Sequence, residues 1–244
     1  MLKKAFLILN TVFAWTVTVI IFVSHCLISM AISRFYQDSE WMIMRLAAVF
    51  LKASLWIDRM PITVIGSENI PSEGNFILVS NHQSHLDIAV FICSIKRKFS
   101  FLAKKELLDV PFLGWDLRAQ GHIAVDRHNH RSAIKEMQRV EGMLKNGKSI
   151  IIFPEGTRTD TGKMGSFKKG AFVMSVHTGV PVIPCRIEGT YHCLNKNSWI
   201  ISPGPIKLTL YPPIYPHLSE DPKAEIQRLM LESEALIGKD PFEQ

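Results

Sequence analysis

From Ala5 to Ser33 the chain carries no lysine, arginine, aspartate or glutamate, a run of 29 residues. Wound as a helix, such a run extends about 43 Å, more than the roughly 30 Å hydrocarbon core of a bilayer. A secretory signal is the rival reading, with Lys3 and Lys4 as its basic start and "SMA" (Ser29 to Ala31) as a cleavage site. The apolar core of a signal is only about 7–15 residues long, so the run exceeds it. A soluble domain of this size offers little core in which to bury so long a helix.

The next segment, "WMIMRLAAVFLKASLWI" (Trp41 to Ile57), is patterned differently. Asp38, Arg45, Lys52 and Arg59 recur every seven residues, which on a helix makes one narrow polar stripe on an otherwise apolar cylinder. Two readings stay open: a helix lying in the membrane interface, and an amphipathic helix covering a soluble core. Lys3 and Lys4 favour a cytoplasmic N-terminus. One full span would then put the rest of the chain outside, whereas a hairpin that dips in and returns keeps everything on one side. We expect residues 1–60 to form a two-helix, membrane-associated segment, with residues 61–244 as an α/β domain facing the cytoplasm. In a bacterium the membrane would be the inner or plasma membrane. Spanning and dipping are both compatible with the sequence.

With 47% hydrophobic residues, the 244-residue chain can bury one sizeable α/β core and carry a small appendage. A net charge of +6 and a pI near 9.2 suit an anionic partner. Nucleic acid fits that charge but not the apolar N-terminus, and no basic helix is present, so none is expected as a partner. Cys26, Cys93, Cys185 and Cys193 form no CxxC pair and no zinc spacing, which points to reduced thiols. "DRHNHR" (Asp126 to Arg131) also lacks the spacing of a metal site, and no metal is expected.

After Pro61 short apolar runs alternate with helical patterns. "ITVIG", "NFILVS", "FSFLA", "GHIAV", "SIIIF" and "PVIPCRI" read as strands, several of them apolar on both faces as in a covered sheet. Arg131 to Lys145 reads as a helix with Ile134, Met137, Val140, Met143 and Leu144 on one face and Asn146-Gly147 as its C-cap. "SEDPKAEIQRLMLESEALIG" reads as a last helix with a capped, acidic first turn. The alternation predicts an α/β fold, a mostly parallel central sheet flanked by helices. Ligands in such folds sit beyond the carboxyl ends of the strands, where the polar motifs fall here.

The first motif is "NHQSHLD", Asn81 to Asp87, at the end of the strand "NFILVS". His82 and Asp87 are five apart, about 140° of rotation on a regular helix, so they share no helical face. They meet only if His82 sits in the turn and Asp87 in the first helical turn. Asp87 would then take one ring nitrogen and leave the other as a base, a histidine–aspartate pair without a serine. A substrate hydroxyl would supply the missing nucleophile. Histidine suits the task because its ordinary pKa is about 6.5. His85, two residues from Asp87, competes for the role, and a plain polar turn is the bland alternative.

The second motif is "IIFPEGTRTDTG". Gly156 allows close backbone approach, and Arg158 offers a planar fork for phosphate. "GHIAVDR" ends a strand at Asp126 and Arg127, and "FLAKKELL" ends one at Lys104 and Lys105. Three strands each ending in a basic residue favour a phosphate pocket over scattered surface charge.

"NHQSHLD", "GHIAVDR", "FPEGTR" and "GVPVIPC" occur in that order, with "AKKELLDVPFLGW" between the first two. Together they resemble the signature blocks of the glycerolipid acyltransferase family, most nearly its 1-acyl-glycerol-3-phosphate (lysophosphatidate) acyltransferases. The resemblance covers about Asn75 to Pro184. It implies catalytic roles for His82, as the base on the acceptor hydroxyl, and for Asp87, which orients it. It implies substrate binding by Glu155, Gly156, Thr157 and Arg158 around the glycerol phosphate, with Arg127 and Lys104 (or Lys105) adding positive charge. "VPVIPC" would shape the sheet edge or the acyl route. The implied reaction moves an acyl chain from acyl-CoA or an acyl carrier protein to the sn-2 hydroxyl of lysophosphatidate in the membrane lipids, making phosphatidate for phospholipid biosynthesis. It needs no cofactor. Another lysolipid acceptor, such as a lysophospholipid or lyso-ornithine lipid, and a non-catalytic lipid-binding protein are the alternatives.

Overall fold

The computed structural model describes residues 2–125, 130–217 and 221–239, with side chains described except at residues 2–7, 124 and 130–136. Eight helices, α1 (Leu2–Phe35), α2 (Glu40–Ile57), α3 (Leu86–Ser94), α4 (Leu113–Ala119), α5 (His130–Lys145), α6 (Gly170–Thr178), α7 (Thr190–Cys193) and α8 (Pro222–Gly238), surround one sheet among the described residues. Its strands are β1 (Ile62–Ile65), β2 (Ile77–Ser80), β3 (Ser100–Lys104), β4 (Ile123–Val125), β5 (Ile150–Ile152), β6 (Val182–Glu188) and β7 (Ile206–Leu210), in the order β1-β7-β6-β2-β5-β3-β4. Every neighbouring pair is parallel except β6 and β7.

Alternate residues of the central strands serve two cores. Leu78, Ile151, Ile183 and Cys185 meet Phe91 of α3 and Met44, Ala47 and Ala48 of α2. Ile77, Val79, Ile150 and Val182 meet Val140 and Leu144 of α5, Phe172 of α6 and Leu229 of α8. This is the three-layer, mostly parallel α/β arrangement that the apolar strands imply, because a strand covered on both faces has no polar side.

The six expected strands are all present, and β7 is a seventh that the sequence reading missed. Its residues alternate between buried and half-buried, and it runs back antiparallel to β6. β7 moves the strand carrying "VPVIPC" away from the edge. β6 lies between β2 and β7, with Val182 to Cys185 buried, so the expectation of a sheet-edge role is corrected. The edge on this side of the sheet is instead β1, largely exposed. Gly147 closes α5 with a positive φ of 81°, as the Asn-Gly pair predicts, while Ile134 lies outside the described side chains. Asp221 caps α8 by accepting from the backbone of Lys223 and Ala224.

α1 and α2 form an antiparallel hairpin. Thr18 Oγ1 lies 2.9 Å from Ser54 Oγ, and Arg59 donates to Asn10 Oδ1 at 3.3 Å. From Ile8 to Phe35, α1 is long and apolar enough to cross a membrane by length and composition. It is nevertheless tied along its length to the α/β body. Trp15 Nε1 donates to Trp199 O at 2.8 Å, Thr11 bonds the backbone of Ile201, and His25 Nε2 reaches Asp116 Oδ1 of α4 at 2.9 Å. The outer side of the hairpin stays apolar and exposed, with Leu9, Phe13, Ile20 and Leu27 on α1 and Val49 and Trp56 on α2. α2 sets its other side on the core, so the core-covering reading of that helix holds for its inner face.

In the His25–Asp116 contact both residues are nearly fully buried, and Gln120 Nε2 donates to the other carboxylate oxygen at 2.7 Å. Asp116→Ala leaves two buried donors without an acceptor. It is expected to cost about 2–4 kcal/mol, read as a lower urea midpoint in detergent, whereas Asp109→Ala on the surface leaves the midpoint in place. An unchanged midpoint for Asp116→Ala would mean that α1 is not held by this pair.

Candidate active site

Five parallel strands, β6-β2-β5-β3-β4, bring their carboxyl ends to one edge. β2, the middle strand of the seven, ends at Ser80. Asn81 then fixes where the turn starts. Its side-chain amide donates to Ile187 O at 2.9 Å, and its Oδ1 accepts from Ile187 N at 2.8 Å, continuing the β2–β6 pairing by one step. His82 therefore leaves the sheet at a defined point, and α3 begins four residues later.

The turn brings His82 and Asp87 together as anticipated. His82 Nδ1 donates to Asp87 Oδ2 at 2.7 Å. The same oxygen accepts from the backbone N–H of Gln83 at 2.7 Å and of Ser84 at 2.9 Å. Thr190 Oγ1, at the start of α7, donates to Oδ1 at 2.6 Å. Asp87 is fully buried, and four donors converge on its two oxygens. His82 is half-buried, with Nδ1 engaged by Asp87 and Nε2 on the opposite side of the ring. His85 sits at the exposed start of α3 and has no bond to Asp87 in the structure. Partial desolvation, and then the nearby Arg158 guanidinium, hold its imidazole below the usual range.

β5 is the neighbour of β2, so the segment that follows it wraps His82. Phe153 stacks on the imidazole with ring centroids 3.9 Å apart. Glu155 Oε1 accepts from His82 N at 2.7 Å, Glu155 Oε2 accepts from Gly165 N at 2.7 Å, and Thr159 N donates to His82 O at 2.9 Å. The Glu155 carboxylate thus braces two backbone segments, and burial raises its pKa. Gly156 has a φ of 75°, and a Cβ there would stand 2.8 Å from Lys168 Nζ. Thr157 is exposed and Arg158 half-buried on the same loop.

Lys104 closes β3 beside β5 and pairs with Glu106 at 3.3 Å, with Lys105 opening the 3-10 turn that follows. Arg127 lies outside the described residues. All four cysteines are buried. Burial pushes the Cys185 thiol well up, which argues against its use as a nucleophile.

Asn81, Phe153, Lys168 and Thr190 escaped the sequence reading. Thr190 gave no signal, because only the β2–β6 pairing brings α7 to Asp87. Phe153 stands inside the "FPEGTR" block and was legible as an apolar neighbour, though not as a stacking partner.

A buried carboxylate thus holds a half-exposed imidazole at the carboxyl edge of the parallel strands, the arrangement a general base requires. Residues 61–188 match the family model described as Acyltransferase, more than half of the chain, and the chain belongs to that family. The chain is 37% identical over 156 residues to a chloroplastic 1-acyl-sn-glycerol-3-phosphate acyltransferase of Arabidopsis thaliana, covering 63% of this chain and 44% of that protein. A 1-acyl-sn-glycerol-3-phosphate acyltransferase of Pseudomonas aeruginosa is 34% identical over 192 residues, covering 76% of this chain and 72% of its own. The crystal structure of the 1-acyl-sn-glycerophosphate acyltransferase of Thermotoga maritima superposes with a TM-score of 0.82 at 29% identity, over 96% of this chain and 97% of that one. The chain spans about half the length of the first curated relatives it matches.

Proposed function

We propose that the protein transfers an acyl chain from an acyl thioester to the sn-2 hydroxyl of lysophosphatidate, making phosphatidate at a membrane surface. The observation that carries this reading is the convergence of two sequence blocks on one imidazole. Asp87 orients His82 from one side, and the Phe153–Thr159 segment clasps it from the other. Relatives named for this reaction support the choice of acceptor.

In the proposed step the hydroxyl proton passes to His82 Nε2 as the hydroxyl oxygen attacks the thioester carbonyl. The C–S bond then breaks, and the leaving thiolate takes the proton from the imidazolium. Asp87 stabilises the imidazolium without itself taking a proton. Arg158 and Lys104 supply positive charge for the acceptor phosphate, and Lys168, above Gly156, adds a third cation. Glu155 holds the loop backbone in register with His82. The donor is acyl-CoA or acyl carrier protein, both acidic enough to suit the net charge of +6.

The α1–α2 hairpin supports a membrane-docked enzyme that dips into one leaflet, because its polar ties to the body at Thr11, Trp15 and His25 leave no free span. Tags at the two ends are expected to share one side in a protease-protection experiment. Tags on opposite sides would refute the hairpin.

The acceptor assignment is tested by comparing lysophosphatidate with lysophosphatidylcholine and lyso-ornithine lipid, where kcat/KM is expected to be highest for lysophosphatidate. Arg158→Ala removes a charge-assisted contact to phosphate. It should raise KM for lysophosphatidate by about 10–100-fold with a smaller change in kcat. Unchanged constants would place the phosphate elsewhere.

A further inference from the structure

A cavity of about 440 Å3 opens where α2 ends. Its floor is apolar, formed by Leu55, Met60, Ile62 and Cys93, and its rim carries Lys52 and Arg59, with Trp56 beside them. None of its lining residues belongs to the catalytic site. Cys93 and Ser94 stand at the far end of α3, about 12 Å along the helix from the turn that holds His82.

Three observations give the cavity a chemistry. First, neither Lys52 nor Arg59 meets a carboxylate among the described residues. The Arg59 guanidinium donates to the neutral Asn10 amide, and Asp58, the acid between the two cations in sequence, is buried and does not line the cavity. Second, Arg59 adopts a φ of 58° where α2 stops, with Met60 N bonded to Leu55 O at 2.8 Å. Helices commonly place glycine at this position because any Cβ is disfavoured there. An arginine here points to a use for its side chain. Third, the cations and an apolar wall meet in one hollow: Lys52 and Arg59 are exposed, whereas Leu55, Met60 and Cys93 beside them are buried.

The surroundings point to the ligand. Trp56 is 81% exposed and continues the bare apolar side of the α1–α2 hairpin, as an indole does at headgroup depth. A soluble phosphate would satisfy the two cations but leave the apolar floor uncovered. We propose that this cavity binds an anionic phospholipid, with Lys52 and Arg59 on its phosphate and the upper part of an acyl chain over Leu55, Met60 and Ile62. The site holds the hairpin in an anionic leaflet independently of turnover.

The test uses the full-length protein and flotation on vesicles of phosphatidylcholine, alone or with about one-fifth phosphatidylglycerol, an anionic lipid that is neither reactant nor product of the proposed reaction. Binding and catalysis can therefore fail separately. Lys52→Gln/Arg59→Gln is expected to lower partition onto the anionic vesicles by about tenfold or more and to leave partition onto pure phosphatidylcholine within about twofold. Arg139→Gln/Lys145→Gln removes the same charge from the exposed side of α5. It should change partition by less than about twofold, since charges beyond a Debye length of the surface are screened. Equal losses for the two double variants would reduce the effect to general attraction and overturn the site. Circular dichroism confirms that both variants fold. In a second measurement, phosphatidylglycerol brominated high on its acyl chain quenches tryptophan emission. Trp56→Phe should remove most of that quenching, and undiminished quenching would overturn the placement. Displacement by millimolar inorganic phosphate would mark a site for free phosphate and overturn the lipid assignment.

Discussion

His82→Ala is expected to lower kcat by about 10³-fold or more while the protein keeps its circular dichroism and its affinity for vesicles. General base catalysis alone contributes about 10²–10⁴-fold. The remaining parts of the site still bind both substrates, but nothing else in the described site is placed to take the hydroxyl proton. His85 is the nearest imidazole in sequence, yet it has no bond to Asp87 in the structure. Residual activity above about one-tenth of wild type would remove His82 from the role of base. His82→Gln provides a control, since it keeps a side chain against Phe153 without the proton acceptor.

The second large effect concerns Asp87, where activity and stability separate. Oδ2 accepts from three N–H groups, His82 Nδ1, Gln83 N and Ser84 N, while among the described residues Oδ1 accepts from the Thr190 hydroxyl alone. Asparagine must therefore place its oxygen at the Oδ2 position and its amide toward Thr190. The hydroxyl can turn, accept that amide proton, and donate to Gln83 Oε1, 3.3 Å away. The His82 tautomer survives and only the negative charge is lost. Asp87→Asn is thus expected to lose less in kcat than the about 10³-fold lost with His82, with little change in stability. Asp87→Ala leaves several buried donors unanswered and should cost about 3–5 kcal/mol, lowering the urea midpoint as well as the rate. If Asp87→Asn proved as inactive as His82→Ala, the fixed orientation of the amide would be wrong.

The layered fold was legible in the sequence because its central strands are apolar on both faces, and only a covered parallel sheet accepts such strands. β7 was missed although "IKLTL" alternates apolar and polar residues as a strand with one covered face does; only its antiparallel pairing with β6 shows where it belongs. The His82–Asp87 pair was legible because a spacing of five excludes one helical face and leaves only the strand-to-helix turn. What held the pair in place was hidden. Thr190 lies 103 residues from Asp87 and Glu155 lies 73 residues from His82. Contacts at such separations follow from strand order, which local pattern does not carry. The long apolar run was visible at once, but the polar residues within it, Thr11, Trp15 and His25, revealed their use only as ties to Ile201, Trp199 and Asp116.

The most direct test supplies the folded wild-type protein, in detergent or liposomes, with lysophosphatidate and an acyl thioester labelled in its acyl carbonyl. The account predicts labelled phosphatidate with the label at sn-2, free thiol released in equal amount, and no label retained on the protein. Label trapped on the protein, or no phosphatidate while another lysolipid is acylated, would contradict it.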